Sequence, residues 1–170
     1  MKAIGKRSIA SILAVVLHAV RIVIWLAFMG LTVAVIVLPF LPLIVRLAAG
    51  ADWVEADVDV ELGDVVEVFA HFVTFGVLLY VVDRLLELLK TLRFGSPFVA
   101  ENALRFRRIG NALLFGEASK VLFGLVGAAT DSDYRGGIDL ISIVSIAAVY
   151  VLSEVFREGA RMKEDQDLTV

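Results

Sequence analysis

The segment from Ile22 to Val45, IVIWLAFMGLTVAVIVLPFLPLIV, contains no charged residue. At about 1.5 Å of rise per residue, a helix of that length exceeds the ~30 Å hydrocarbon core of a bilayer. A soluble domain rarely needs a stretch so long and so dry. The chain therefore reads as a membrane protein, and each of its charges must be weighed against lipid. Hydrophobic residues make up 59% of the sequence, against roughly 45–50% in a globular average. That excess asks for several spanning segments. The 170 residues suit one integral membrane domain, residues 1–170, with little chain left for a soluble module.

Four blocks are expected to span, at about 22–45, 66–87, 109–129 and 138–157. Pro39 and Pro42 remove backbone donors and should kink or close the first. Residues 8–20 are apolar but are followed by Arg21. They form either a lead-in helix in the interface or the lower part of one long tilted helix. The basic start resembles a signal peptide. Arg21 and a second apolar run follow without a small-x-small site, so an uncleaved start is expected. The second block continues as DRLLELLK, a helix leaving lipid, where Arg84 and Lys90 should offset the like charges of Asp83 and Glu87. Residues 131–137, DSDYRGG, read as a tight turn between the last two blocks.

Charge placement predicts sidedness. Lys2, Lys6, Arg7 and Arg21 precede the first span, and Lys90, Arg93, Arg105, Arg107 and Arg108 join the second to the third. The connection after the first span is acidic from Asp52 to Glu67. The positive-inside rule then puts both termini and the 90–110 connection in the cytoplasm. From Val54 to Leu62 the acidic connection alternates apolar and acidic residues, the period of a strand. Its face of Glu55, Asp57, Asp59 and Glu61 lacks the spacing of a calcium loop and is expected to be a solvated charged face. The predicted fold is all-α: a four-helix transmembrane bundle with a short extracytoplasmic acidic strand-like loop.

Cysteine is absent and only His18 and His71 could offer imidazole. Thiol chemistry and histidine metal clusters are thereby excluded. No Ser-Lys, Asp-Asp or His-Glu-x-x-His arrangement falls within a span. No catalytic residue, cofactor or metal is expected, and the chain is not read as an enzyme. Glu117 and Lys120 lie near the middle of the third span at i,i+3. They are either a self-neutralised packing pair or a polar core for a ligand or proton relay. Ala112, Gly116, Lys120, Gly124 and Ala128 form a small-residue stripe expected to face the fourth span, where Ser142, Ser145 and Ser153 stand, or else a second copy in a homodimer. His71 with Thr74 is either a hydrogen-bonded interfacial histidine or a pH sensor.

Two segments suit a partner. In KTLRFGSPFVAENALRFRRIG, residues 90–110, Ser96 should cap a short helix with Pro97 first, running to a basic end at Arg105, Arg107 and Arg108. Those charges serve either as a lipid anchor or as a docking surface for an acidic protein. The C-terminus, REGARMKEDQDLTV, is either a frayed helix end or a short docking peptide.

The sequence LRFGSPFVAENALRFRRIGNALL, the ending VFREGARMKEDQDLTV and the four-span layout resemble a bacterial family of small membrane proteins known only as a domain of unknown function. The matching positions are Gly95, Pro97, Phe98, Asn102, Arg105 and Gly110 in the loop, and Gly159, Glu164, Asp165, Asp167, Leu168 and Thr169 in the tail. The resemblance implies a bacterial inner-membrane protein often encoded beside a Cro/repressor-type helix-turn-helix regulator, with no catalytic role at any of these positions. The expected function is a regulatory membrane protein that docks such a cytoplasmic partner, without contacting nucleic acid itself. The alternative is a small-molecule or ion sensor or permease built on Glu117 and Lys120.

Overall fold

Lipid offers a backbone no hydrogen-bond partner, so apolar blocks of this length must satisfy their own amides as helices. The computed structural model describes residues 9–48, 61–94, 97–130 and 132–168. They form α1 (Ile9–Val37), a 3-10 turn (Leu38–Phe40), α2 (Leu41–Ala48), α3 (Leu62–Phe94), α4 (Ala100–Ala129) and α5 (Leu140–Asp167), with no strand among the described residues. Four stretches are long and apolar enough to cross a membrane: Ala10–Phe40, Leu62–Leu92, Ala100–Ala129 and Leu140–Asp167. Large apolar side chains face outward along them, with Val15 70%, Leu125 68% and Ile141 75% exposed. Such a surface is stable only in lipid. The chain is a multi-pass membrane protein.

The element ends follow local chemistry. Residues 9–20 belong to one continuous helix with the first dry run, so the longer of the two arrangements for this segment holds. His18 stays inside that helix by donating from Nδ1 to the Ala14 carbonyl at 2.7 Å. Pro39 interrupts the helical ladder, and the chain tightens into the 3-10 turn before α2 resumes. The alternating acidic segment falls mostly on residues 54–60, which lie outside the described residues. Its last residue, Leu62, begins α3, where the Glu61 amide donates to Asp64 Oδ2 at 3.0 Å.

Two expectations about the 90–110 connection are corrected. The short helix and the third span are a single helix, α4. Its N-cap is Val99, in extended conformation at φ -125 and ψ 142 and without a side-chain cap. Pro97 therefore precedes the helix, and Ser96 lies outside the described residues. Ala100 and Glu101 continue smoothly into Ala103 and Leu104, good helix formers that leave no reason for a break.

Successive long helices run antiparallel and pack in a row: α1 on α3, α3 on α4, α4 on α5. The two outer helices, α1 and α5, form no packed interface with each other, so the bundle is open along one side. Phe28 of α1 meets Phe72 of α3 at 4.5 Å between ring centroids. Gly110 of α4 accepts the Tyr150 ring of α5, whose hydroxyl donates to Asn111 Oδ1 at 2.6 Å. Ser153 of α5 donates to the Ala103 carbonyl at 2.9 Å.

The small-residue stripe on α4 does not face α5. Gly116 abuts Val77 of α3, and Gly124 abuts the backbone of Gly136 in the α4–α5 connection. That connection folds back over the end of α4: a Cβ at Gly136 would overlap the Lys120 carbonyl oxygen, so only glycine fits. Ser132 anchors it to α3 by donating to the Gly63 carbonyl at 3.0 Å. His71 is held by its own helix, Nδ1 donating to the Glu67 carbonyl at 2.8 Å, and its ring meets the edge of Tyr134.

Candidate functional site

Glu117 and Lys120 do meet. Lys120 Nζ lies 2.5 Å from Glu117 Oε1, and the Glu117 side chain is only 9% exposed. Its other oxygen has no hydrogen-bond partner and borders a cavity of about 210 Å³ reaching Ser142 and Ser145 of α5. Both serines already donate within their own helix, Ser142 to Asp139 Oδ2 and Ser145 to the Ile141 carbonyl. The pair is neutral as a unit, so it has no net charge with which to draw an ion out of water. What it offers is a self-neutralised polar pair buried where α4 meets α5.

The richer chemistry lies where α1 begins, α3 ends, α4 begins and α5 ends. Asp83 and Glu87 are offset differently from the expected pattern. Asp83 pairs across to α1, with Arg21 Nε at 3.0 Å. Glu87 receives Arg84 at 2.8 Å and Arg105 at 3.4 Å. Arg84 also stacks over the Tyr80 ring at 5.1 Å. Arg105 completes its contacts on Glu101 at 2.8 Å and on Asn102.

Asn102 is the hub of this end. It is fully buried. Its Nδ2 donates to the Pro97 carbonyl at 2.8 Å, while its Oδ1 accepts from Thr91 at 3.0 Å and from Arg105 at 2.8 Å. One side chain thus ties the end of α3, the connection and the first turn of α4. Two residues expected on a docking surface, Asn102 and Arg105, are spent inside the protein. Arg107 and Arg108 are exposed and form no ion pair with a described residue.

The loop and the tail, far apart in sequence, come together. Phe98 lies on Gly159 of α5 so closely that a Cβ there would sit 2.5 Å from its ring. Phe156 completes the seat, with centroids 5.5 Å from Phe98 and 4.8 Å from Phe106. Beside this aromatic seat runs a groove of about 310 Å³, bordered by Phe98, Ala100, Lys163, Glu164, Asp167 and Leu168. The tail is helical to Asp167, with Leu168 as C-cap and 80% exposed. Its described part is a helix end, not an extended peptide. Gly95 and Thr169 lie outside the described residues.

The sequence puts Phe98, Gly159, Glu164, Asp167 and Leu168 on one docking surface of loop plus tail, but gives no sign that Phe98 rests on Gly159. Phe106, Phe156 and Thr91 carry no signal of their own in the sequence, and Glu87 reads there only as a like-charge neighbour of Asp83. The one available signal was the i,i+3 spacing of Phe156 and Gly159, which puts a ring and a notch on one face of α5.

A family profile described as a protein of unknown function, DUF2975, matches residues 65–170. The chain belongs to this family. No curated protein and no solved structure matches it. The DUF2975 match takes in α3, α4 and α5, and with them the Asn102 hub and the groove between loop and tail.

Proposed function

We propose that this DUF2975 protein is a regulatory membrane protein whose groove between loop and tail docks a cytoplasmic partner. One observation carries the reading: Phe98 seated on Gly159 makes a composite surface from the loop and the tail. Exposed Glu164, Asp165 and Asp167 outnumber Lys163 in the last turn before the exposed Leu168. An acidic rim around an apolar anchor suits a basic protein surface. A small helix-turn-helix regulator, basic where it would otherwise meet DNA, has that chemistry. Held here, it would be kept from its operator, with no contact between this chain and nucleic acid.

The reading requires the groove to face the cytoplasm of a bacterial cell, bounded by its inner membrane. The basic residues near α1 and between α3 and α4 support that sidedness. Reporter fusions near Asp57 and near Arg107 are expected to report opposite compartments. Fusions reporting the same compartment would remove the topology and the proposal with it.

Gly159→Leu should drive the Phe98 ring from its seat. We expect it to weaken capture of the neighbouring regulator from detergent extracts by about tenfold or more, the loss typical of a central anchor. A chain ending after Arg157 should lose capture as well, whereas Leu125→Ala, on the far lipid-facing surface, should not. Equal recovery by all three would reject the docking surface. The other reading, a sensor or permease using Glu117 and Lys120, draws on the cavity beside Glu117. Its supporting feature is that single unpartnered oxygen.

A further inference from the structure

Because α1 and α4 both lean on α3 without packing on each other, a slot of about 580 Å³ opens between them. Small residues make it: Gly76 and Ala112 leave its floor empty, and a Cβ at Gly76 would meet only Phe28, at 3.7 Å. Phe72 and Phe115 add apolar walls. From Phe72 to Tyr80 the slot follows α3 for about 12 Å at helical rise. A space of this size and polarity inside a bilayer is filled by hydrocarbon.

One end of the slot is different. Tyr80, Arg108 and Asn111 border it there, and no carboxylate does. Arg108 is exposed and has no acid partner among the described residues. Asn111 Oδ1 is occupied by the Tyr150 hydroxyl, which leaves its amide N–H groups for the slot. The Tyr80 ring is backed by the Arg84 guanidinium. Hydrogen-bond donors and positive charge thus meet at the mouth of an apolar channel, at the boundary of the dry part of α4. A guanidinium in that position calls for an anion.

We infer that the slot is a specific site for an anionic phospholipid, one acyl chain lying on Gly76 and Ala112 and the phosphate held at Arg108. The slot is open to the bilayer along its length, so the occupant is drawn from the bilayer. The inference needs only the membrane setting and does not depend on the docking role.

Native mass spectrometry of the full chain, released from micelles containing phosphatidylglycerol and phosphatidylcholine, tests it. One phosphatidylglycerol should be retained in preference to phosphatidylcholine. Arg108→Gln should lower that retention about fivefold, the effect of one interfacial charge. Arg107→Gln, exposed but outside the slot, should leave it unchanged. Gly76→Leu fills the floor and should also abolish retention. Ala112→Leu, from the α4 side of the floor, provides the same readout if the first variant does not fold. Equal retention of the two lipids, or equal losses in the two arginine variants, would reduce the site to general surface attraction and overturn it. Loss with Arg108→Gln but with neither slot-filling variant would also overturn it, since the chain would then not lie in the slot. Preferential retention of added laurate over phosphatidylglycerol would overturn the phospholipid assignment in favour of a free fatty acid.

Discussion

Lys120→Met is expected to destabilise the helix bundle by about 3 kcal/mol or more, because it strands a buried carboxylate without its cation. Glu117 is nearly enclosed, and its paired oxygen depends on Lys120 for its only charge-assisted bond. The double change Glu117→Gln with Lys120→Met removes both charges while keeping similar volume. It should recover most of the lost stability. Reversible unfolding in mixed dodecyl sulfate micelles, read as the shift in midpoint of the single and the double variant from wild type, provides the measurement. If the single and double variants were equally stable, the two charges would be uncoupled and the packing role would fail. The same double variant separates the two functional readings. A folded double variant that still captures the regulator excludes this pair from docking. A folded double variant that loses a measured solute flux would favour the permease.

Asn102→Leu should cost a similar amount, about 3 kcal/mol or more. Each buried polar group left without a partner costs roughly 1–3 kcal/mol, and this substitution strands the Pro97 carbonyl and one arm of Arg105, while the Thr91 hydroxyl keeps its bond to the Leu88 carbonyl at 2.7 Å. Asn102→Asp keeps an acceptor for Thr91 and gives Arg105 a charged one, but sets a carboxylate oxygen against the Pro97 carbonyl in place of the donation. Its loss should be smaller, about 1–2 kcal/mol. The order wild type, Asp, Leu in the same unfolding titration checks the hub. An Asn102→Leu variant as stable as wild type would show that the connection is held by the Phe98 seat alone. The hub also explains in physical terms why an asparagine belongs in the loop pattern. The amide puts donor and acceptor on separate atoms, so Nδ2 reaches the Pro97 carbonyl while Oδ1 accepts on the other side.

Much of the architecture was legible before any coordinates. Residues 22–45 had to cross a bilayer, and the blocks at 66–87, 109–129 and 138–157 each lie within or largely within a helix. The ends were less legible. α3 and α5 both run beyond their dry parts, to Phe94 and Asp167, because charged helix-forming residues continue the ladder once it is in water. The basic residues misled in a specific way. Arg105, Arg107 and Arg108 look equivalent along the chain, yet helical rotation turns Arg105 inward onto Glu87 and Glu101 and leaves the other two outside. The same rotation sends Gly116 and Gly124 to α3 and to the folded-back connection, not to the serines of α5.

The amino-acid order alone determined that this chain enters lipid, that it does so as helices and where the crossings fall. Those outcomes follow from one local requirement: a backbone without water must bond to itself. Tertiary structure decided which helices touch, that Phe98 rests on Gly159, that Gly136 closes on Lys120 and that α1 stands apart from α4. In lipid nearly every face of a spanning helix is apolar, so no hydrophobic stripe records its rotation. Only the close fit of notch to ring and of donor to acceptor, between residues distant along the chain, selects it.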